Sequence, residues 1–231
     1  MHYAAYPLSD EIHIWSASLK ENRTSISYFT SILSEDEFQK SKNFISIKEK
    51  NSFIISRGIL RCLLGMYLKI DPKQVEILYG FWGKPYLSPN CSLYFNLSHS
   101  RDYVLYAFTS TYEVGIDIEY MDLSLDTEEL ALVAFSSQEQ AYWAKVDPKH
   151  KTSCFFKFWV YKEAFLKAIG KGWLHEQHEL PLTILDSIYK DHHSQLAYEN
   201  AVYFNLIPNY ASAFYIKGPY LCPLYYTWKL S

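Results

Sequence analysis

Polar and apolar positions change period along the chain. From Glu11 to Leu19 they alternate, with Ile12, Ile14, Ala17 and Leu19 on the apolar side, which predicts an opening strand. Ser34-Glu35-Asp36-Glu37 reads as an N-cap followed by acids in a first helical turn. Between Ile47 and Leu68 apolar residues recur at helical spacing, Arg57 and Arg61 share a face four residues apart, and Asp71-Pro72 closes the helix. Strand-like runs follow at Val75–Tyr79, Leu93–Leu97, Val104–Thr109 and Val114–Glu119, with turn signals at Gly83-Lys84-Pro85 and Ser88-Pro89-Asn90. Glu128–Val146 is helical in pattern with an internal start signal at Ser136. A second helix covers Ser153–Ile169 and stops at Gly170-Lys171-Gly172. Ala201–Ile207 and Ala211–Ile216 read as later strands.

Helix-then-strands thus occurs twice, with a seam near residue 112. The expectation is an α+β protein of two subdomains, 1–112 and 113–231, without a residue-level repeat between them.

Composition supports that picture. The 231 residues are 49% hydrophobic, enough for a substantial core, and the 18% aromatic share favours strand-rich packing. The net charge of −3 argues against a general nucleic-acid binder. The four cysteines form no CxxC pair, so thiolate metal spacing is absent. No targeting or membrane-spanning stretch stands out; Ile59–Leu68 is too short and contains Arg61. The chain reads as a cytoplasmic protein.

Four constellations carry chemistry. In Gly115-Ile116-Asp117-Ile118-Glu119, strand geometry puts Asp117 and Glu119 on one face. Paired carboxylates repel unless a cation or proton lies between them, and hard oxygen ligands suit Mg²⁺. The alternative is an exposed polar face on an edge strand. In Trp159–Ala168, Glu163 and Lys167 share a helix face. They are either a carboxylate and a phosphate-neutralising cation or an ordinary helix ion pair. Asn96-Leu97-Ser98-His99-Ser100 offers short polar groups and an imidazole at a strand end, and Gly83-Lys84-Pro85 displays a lysine on a tight turn. A Walker loop, a GxGxxG and a GxSxG are all absent.

Taken in order, Arg57…Arg61, Gly83-Lys84-Pro85, Asn96-Leu97-Ser98-His99-Ser100, Gly115-Ile116-Asp117-Ile118-Glu119, Phe135-Ser136-x-x-Glu139 and Trp159-x-x-Lys162-Glu163-Ala164-x-x-Lys167-Ala168 resemble the Sfp-type phosphopantetheinyl transferases. The resemblance implies a pseudo-dimer of two similar α+β subdomains with coenzyme A in the cleft between them. It implies Mg²⁺ on Asp117, Glu119 and Glu163. It also implies Arg57, Lys84, Pro85, Ser98, His99 and Lys167 on coenzyme A, with Lys84 and Pro85 at the adenine. Glu163 is the candidate general base, Lys162 its rival for proton handling, and Lys167 the second cation at the phosphates. The implied partner is an acyl or peptidyl carrier protein whose serine receives the arm, and a monomer suffices.

Two departures from the family pattern stand near the first long helix. Glu37 occupies a place where basic residues grip the 3′-phosphate, leaving Lys40 and Lys42, and Asn51-Ser52-Phe53 replaces a His-Arg-Thr run. Later, Trp173 replaces a leucine. The competing classes are a magnesium-dependent nuclease, disfavoured by the charge, and an inactive binding module of the same fold.

Overall fold

The computed structural model describes residues 6–170, 180, 184–185, 197–198 and 200–230. Lys171, Gly172 and Trp173 lie outside the described residues. The first sheet contains β1 (Glu11–Ser18), β4 (Tyr94–Ser100), β5 (Tyr103–Thr109) and β10 (Cys222–Thr227) in the order β10-β1-β5-β4. The second contains β6 (Val114–Tyr120), β7 (Ala197–Tyr198), β8 (Ala201–Phe204) and β9 (Tyr210–Ile216) in the order β6-β9-β8-β7. A small hairpin pairs β2 (Leu78–Tyr79) with β3 (Pro85–Tyr86). Helices α1 (Ile26–Ile32), α2 (Glu35–Lys42) and α3 (Ile47–Leu68) belong to the first half. Helices α4 (Thr127–Ala134), α5 (Ser137–Trp143) and α6 (Lys151–Ile169) belong to the second. Among the described residues no helix is long and apolar enough to cross a membrane.

The strand period of two explains how three apolar layers form between a helix, two sheets and a second helix. On β1 and β5, Trp15, Ala17, Val104, Tyr106 and Phe108 face α3 and share its core. Their neighbours Ile12, Ile14, Leu105 and Ala107 face the other way, against Ile116, Ile118, Phe214 and Ile216 of the second sheet. The second sheet's other face receives α6, whose Phe158, Tyr161 and Ala164 are buried with Ala211 and Ala213. The two sheets therefore meet across a shared apolar layer, and a long helix covers each outer face.

The range 113–231 does not stay within the second half. Its last strand, β10, runs parallel to β1 in the first sheet, with Ile14 opposite Tyr225 and Trp15 opposite Tyr226. The pattern over Glu128–Val146 resolves into two helices because Ser136 caps α5: its hydroxyl accepts from Glu139 N while Glu139 accepts from Ser136 N. Ser34 and Glu37 make the same reciprocal pair at α2. Helix α6 ends at Gly170, whose φ of 70° a glycine adopts without penalty. Val75–Tyr79 forms a strand only at its last two residues.

Candidate active site

The seam between the halves opens into a cavity of about 340 Å³. Phe53 and Arg57 of α3, the hairpin residues Lys84 and Pro85, and His99 of β4 line one wall. Glu163, Leu166 and Lys167 of α6 line the other. The structure thus brings six of the ten residues expected from sequence, Arg57, Lys84, Pro85, His99, Glu163 and Lys167, around one cavity.

Close approach of α6 to β6 sets the site. A Cβ on Gly115 would lie 2.0 Å from the Ala164 carbonyl oxygen and 2.4 Å from Ala168 N, so only glycine permits this contact. Two residues further along β6, on the same face, Asp117 Oδ1 accepts from Lys167 Nζ at 2.6 Å and from Ser98 Oγ at 2.7 Å. Lys167 Nζ also donates to Ser98 Oγ at 2.8 Å. Asp117 is 3% exposed, and its Oδ2 is buried without a hydrogen-bond partner. Glu119 Oε1 accepts from Ser100 Oγ at 2.6 Å. Burial raises the Glu119 pKa, and the neighbouring Asp117 charge adds to the rise against the Ser100 bond.

The cavity wall is electropositive. Arg57 Nη1 is buried without a hydrogen-bond partner. Burial lowers the His99 pKa, and the charges of Lys167 and Arg57 lower it further, so the ring beside them is neutral at pH 7. Lys84 is fixed by protein groups: its ammonium donates to Glu113 and, at 2.9 Å, to the carbonyl of Ala168. That places a cation at the C-terminal turn of α6, where the helix dipole favours one, and burial lowers its pKa. Gly83, at φ 80°, turns the hairpin that carries it.

Other expected residues lie elsewhere. Lys162 is 4% exposed and points into the second half, donating to Glu139 at 2.6 Å and to the Ala134 carbonyl at 3.0 Å. Glu139, fully buried, also accepts from Leu180 N at 3.0 Å. Lys162 therefore ties α6 to the α4–α5 corner and does not line the cavity. Ser98 turns its hydroxyl to Asp117, not into the cavity. Glu37 is buried and accepts from Arg61 Nε at 2.5 Å, while Arg61 Nη1 reaches the carbonyls of Pro72 and Val75. Glu37 and Arg61 are thus partners within the first half. Among the described residues no three His, Cys, Asp or Glu side chains converge closely enough to hold a metal ion, so Asp117 and Glu119 stand as a pair without Glu163.

The donor set nevertheless fits a hard divalent cation. Mg²⁺ takes one or two carboxylates and completes its shell with water and phosphate oxygens. Asp117 has a buried oxygen with no other partner, and Glu119 stands beside it. Cations around a cavity backed by paired carboxylates belong to an enzyme that handles phosphate esters.

Comparison with known proteins narrows that class. Residues 14–111 match the family described as 4′-phosphopantetheinyl transferase, N-terminal, and residues 113–212 match the 4′-phosphopantetheinyl transferase superfamily. The chain is 38% identical over 168 residues to the 4′-phosphopantetheinyl transferase HetI of Nostoc, covering 71% of each protein. It is 35% identical over 132 residues to AcpT of Escherichia coli, covering 57% of this chain and 63% of that one. It is 29% identical over 145 residues to Sfp of Bacillus subtilis, covering 62% and 63%. The match thus spans just under two thirds of the length of AcpT and of Sfp. The chain belongs to the 4′-phosphopantetheinyl transferase superfamily and is an enzyme of that class, which moves phosphopantetheine from coenzyme A to carrier proteins.

Proposed function

We propose that the cleft binds coenzyme A with its phosphates between Arg57 and Lys167, and that a carrier-protein serine attacks there. Support comes above all from the Lys167–Asp117 contact, in which a lysine lining the cavity is held by a buried carboxylate of another element behind it. The serine oxygen bonds to the β-phosphorus of coenzyme A, the bond from that phosphorus to the bridging oxygen breaks, and 3′,5′-ADP leaves with that oxygen. The hydroxyl proton passes to Glu163, which faces the cavity from α6. Lys167 and Arg57 oppose charge on the phosphoryl oxygens, and rigid walls align the reacting groups. Asp117 and Glu119 would hold Mg²⁺, which when bound would supply further neutralisation of that charge, and Glu163 of α6 is a further carboxylate lining the cleft. His99, neutral, accepts or donates a hydrogen bond without adding charge. Lys84 and Pro85 border the adenine side, with Lys84 acting chiefly as a strut between the hairpin and α6.

The partner in this reading is an acyl or peptidyl carrier protein, and the enzyme acts as a cytoplasmic monomer, since both walls of the cleft come from one chain. Intact-mass spectrometry of an apo carrier incubated with this protein, coenzyme A and Mg²⁺ tests the reading. The expected result is a mass gain of one phosphopantetheine, lost with EDTA. Coenzyme A binding without any gain across both carrier types would sink the reading.

A further inference from the structure

Resting on the metal reading just given, we propose that Ser100 is a positioning residue for Glu119, fixing from the opposite half of the molecule which carboxylate oxygen is left for the divalent cation. Strand β4 ends the first sheet and β6 ends the second, and the two edges meet through side chains. Every second residue of β4 reaches across: Asn96 Oδ1 accepts from Ile116 N at 3.0 Å, Ser98 donates to Asp117, and Ser100 donates to Glu119. Serines two apart thus meet carboxylates two apart, so a single register sets both.

Ser100 is 7% exposed, and its hydroxyl oxygen is held between two partners on β6. Its oxygen accepts from Tyr120 N at 3.0 Å, which directs the hydroxyl proton to Glu119 Oε1 at 2.6 Å. Glu119 Oε1 also takes part of the Tyr120 N–H, at 3.2 Å. Both protein bonds therefore fall on Oε1, which leaves Oε2 as the oxygen without a hydrogen bond among the described residues. Ser98 plays the matching part at Asp117, but it also touches Lys167, so its substitution would mix two effects. Among the described residues the Ser100 hydroxyl makes no hydrogen bond to a cationic side chain, which makes it the clean position to vary.

The test is Mn²⁺ binding, read from loss of the free-ion electron paramagnetic resonance signal, with the full chain and coenzyme A present. The Mg²⁺ concentration for half-maximal transfer and the thermal midpoint are measured alongside. S100A is expected to weaken Mn²⁺ binding and to raise the half-saturating Mg²⁺ by about tenfold, the scale of losing an outer partner of a metal ligand. S100T, which keeps the hydroxyl, is expected to restore both. If S100A does not fold, S100C carries the comparison, with a weaker donor of similar volume expected to bind Mn²⁺ less tightly than S100T. Wild-type Mn²⁺ affinity in S100A, or in S100C where it replaces S100A, would overturn the proposal and leave Ser100 as a strand-edge hydrogen bond. A wild-type protein that takes up no Mn²⁺ beside coenzyme A would overturn the metal reading itself, a different result from the first.

Discussion

Lys167 Nζ lies 2.6 Å from Asp117 Oδ1, joining the last turn of α6 to the middle of β6. Fifty residues separate the two in the chain, and both are held by neighbours: Asp117 by Ser98, and Lys167 by Ser98 as well. Because Lys167 is partly open to the cavity while Asp117 is buried, the pair presents its positive end to the cavity. Lys167→Ala is expected to lower turnover by about 10²-fold, the cost of removing one group that stabilises transition-state charge. Asp117→Asn is expected to lower magnesium-dependent turnover by about 10³-fold, leaving a residual rate that can be measured. In the double variant the effects should fall short of additive, since the two groups act as a unit. Steady-state transfer rates of the four proteins check this, and full additivity would mean the two act separately.

Gly115 makes that contact possible. Gly115→Ala would drive a methyl into the backbone of α6, and neither the Ala164 carbonyl nor the Ala168 amide can turn aside. The expected stability loss is at least the about 1–3 kcal/mol of an overpacked core. Turnover should fall too, because displaced α6 carries Lys167 away from Asp117. Chemical denaturation and transfer assays report the two losses. A variant as stable and active as the parent would show that α6 shifts at no cost.

Much of this was legible in the sequence, for a physical reason. Period-two alternation in Gly115-Ile116-Asp117-Ile118-Glu119 puts both carboxylates on the face opposite the isoleucines, and the structure has them there. The serine caps at Ser34 and Ser136 are local signals, and both form. Contacts between distant segments were not legible. Lys162 and Glu163 are adjacent in sequence but about 100° apart around a helix, so one enters the core while its neighbour faces the cleft. No local pattern marks Glu37 as the partner of Arg61, 24 residues away. Nor does any mark Cys222–Thr227 as a parallel neighbour of Glu11–Ser18, since parallel pairing leaves no turn to read.

The buried Lys162–Glu139 pair makes its own prediction. Lys162→Ala would leave the Glu139 carboxylate, fully buried, without its counter-charge. Breaking such a pair costs about 3–5 kcal/mol, because the remaining charge is uncompensated. Denaturant titration should show that loss, while the pH profile of turnover in the surviving folded enzyme keeps its shape. A displaced limb of that profile would return Lys162 to proton handling.

His99 sets the last expectation. Its folded-state pKa lies below the ordinary 6.5, first through burial and then through the positive charges of Lys167 and Arg57. The unfolded chain therefore binds more protons at this position than the folded one between the lowered value and 6.5. Stability from this group is complete above about pH 6.5 and declines as pH falls towards the folded-state value. His13, buried in the first sheet, has a lowered pKa too and contributes the same sign. A comparison of wild type with His99→Gln isolates the cleft residue, since His13 is common to both. Thermal midpoints measured from pH 5 to 7.5 without coenzyme A should fall less steeply on the acid side in His99→Gln. Parallel curves would mean that His99 titrates as it does in the unfolded chain, and that the cations of the cavity wall do not reach it.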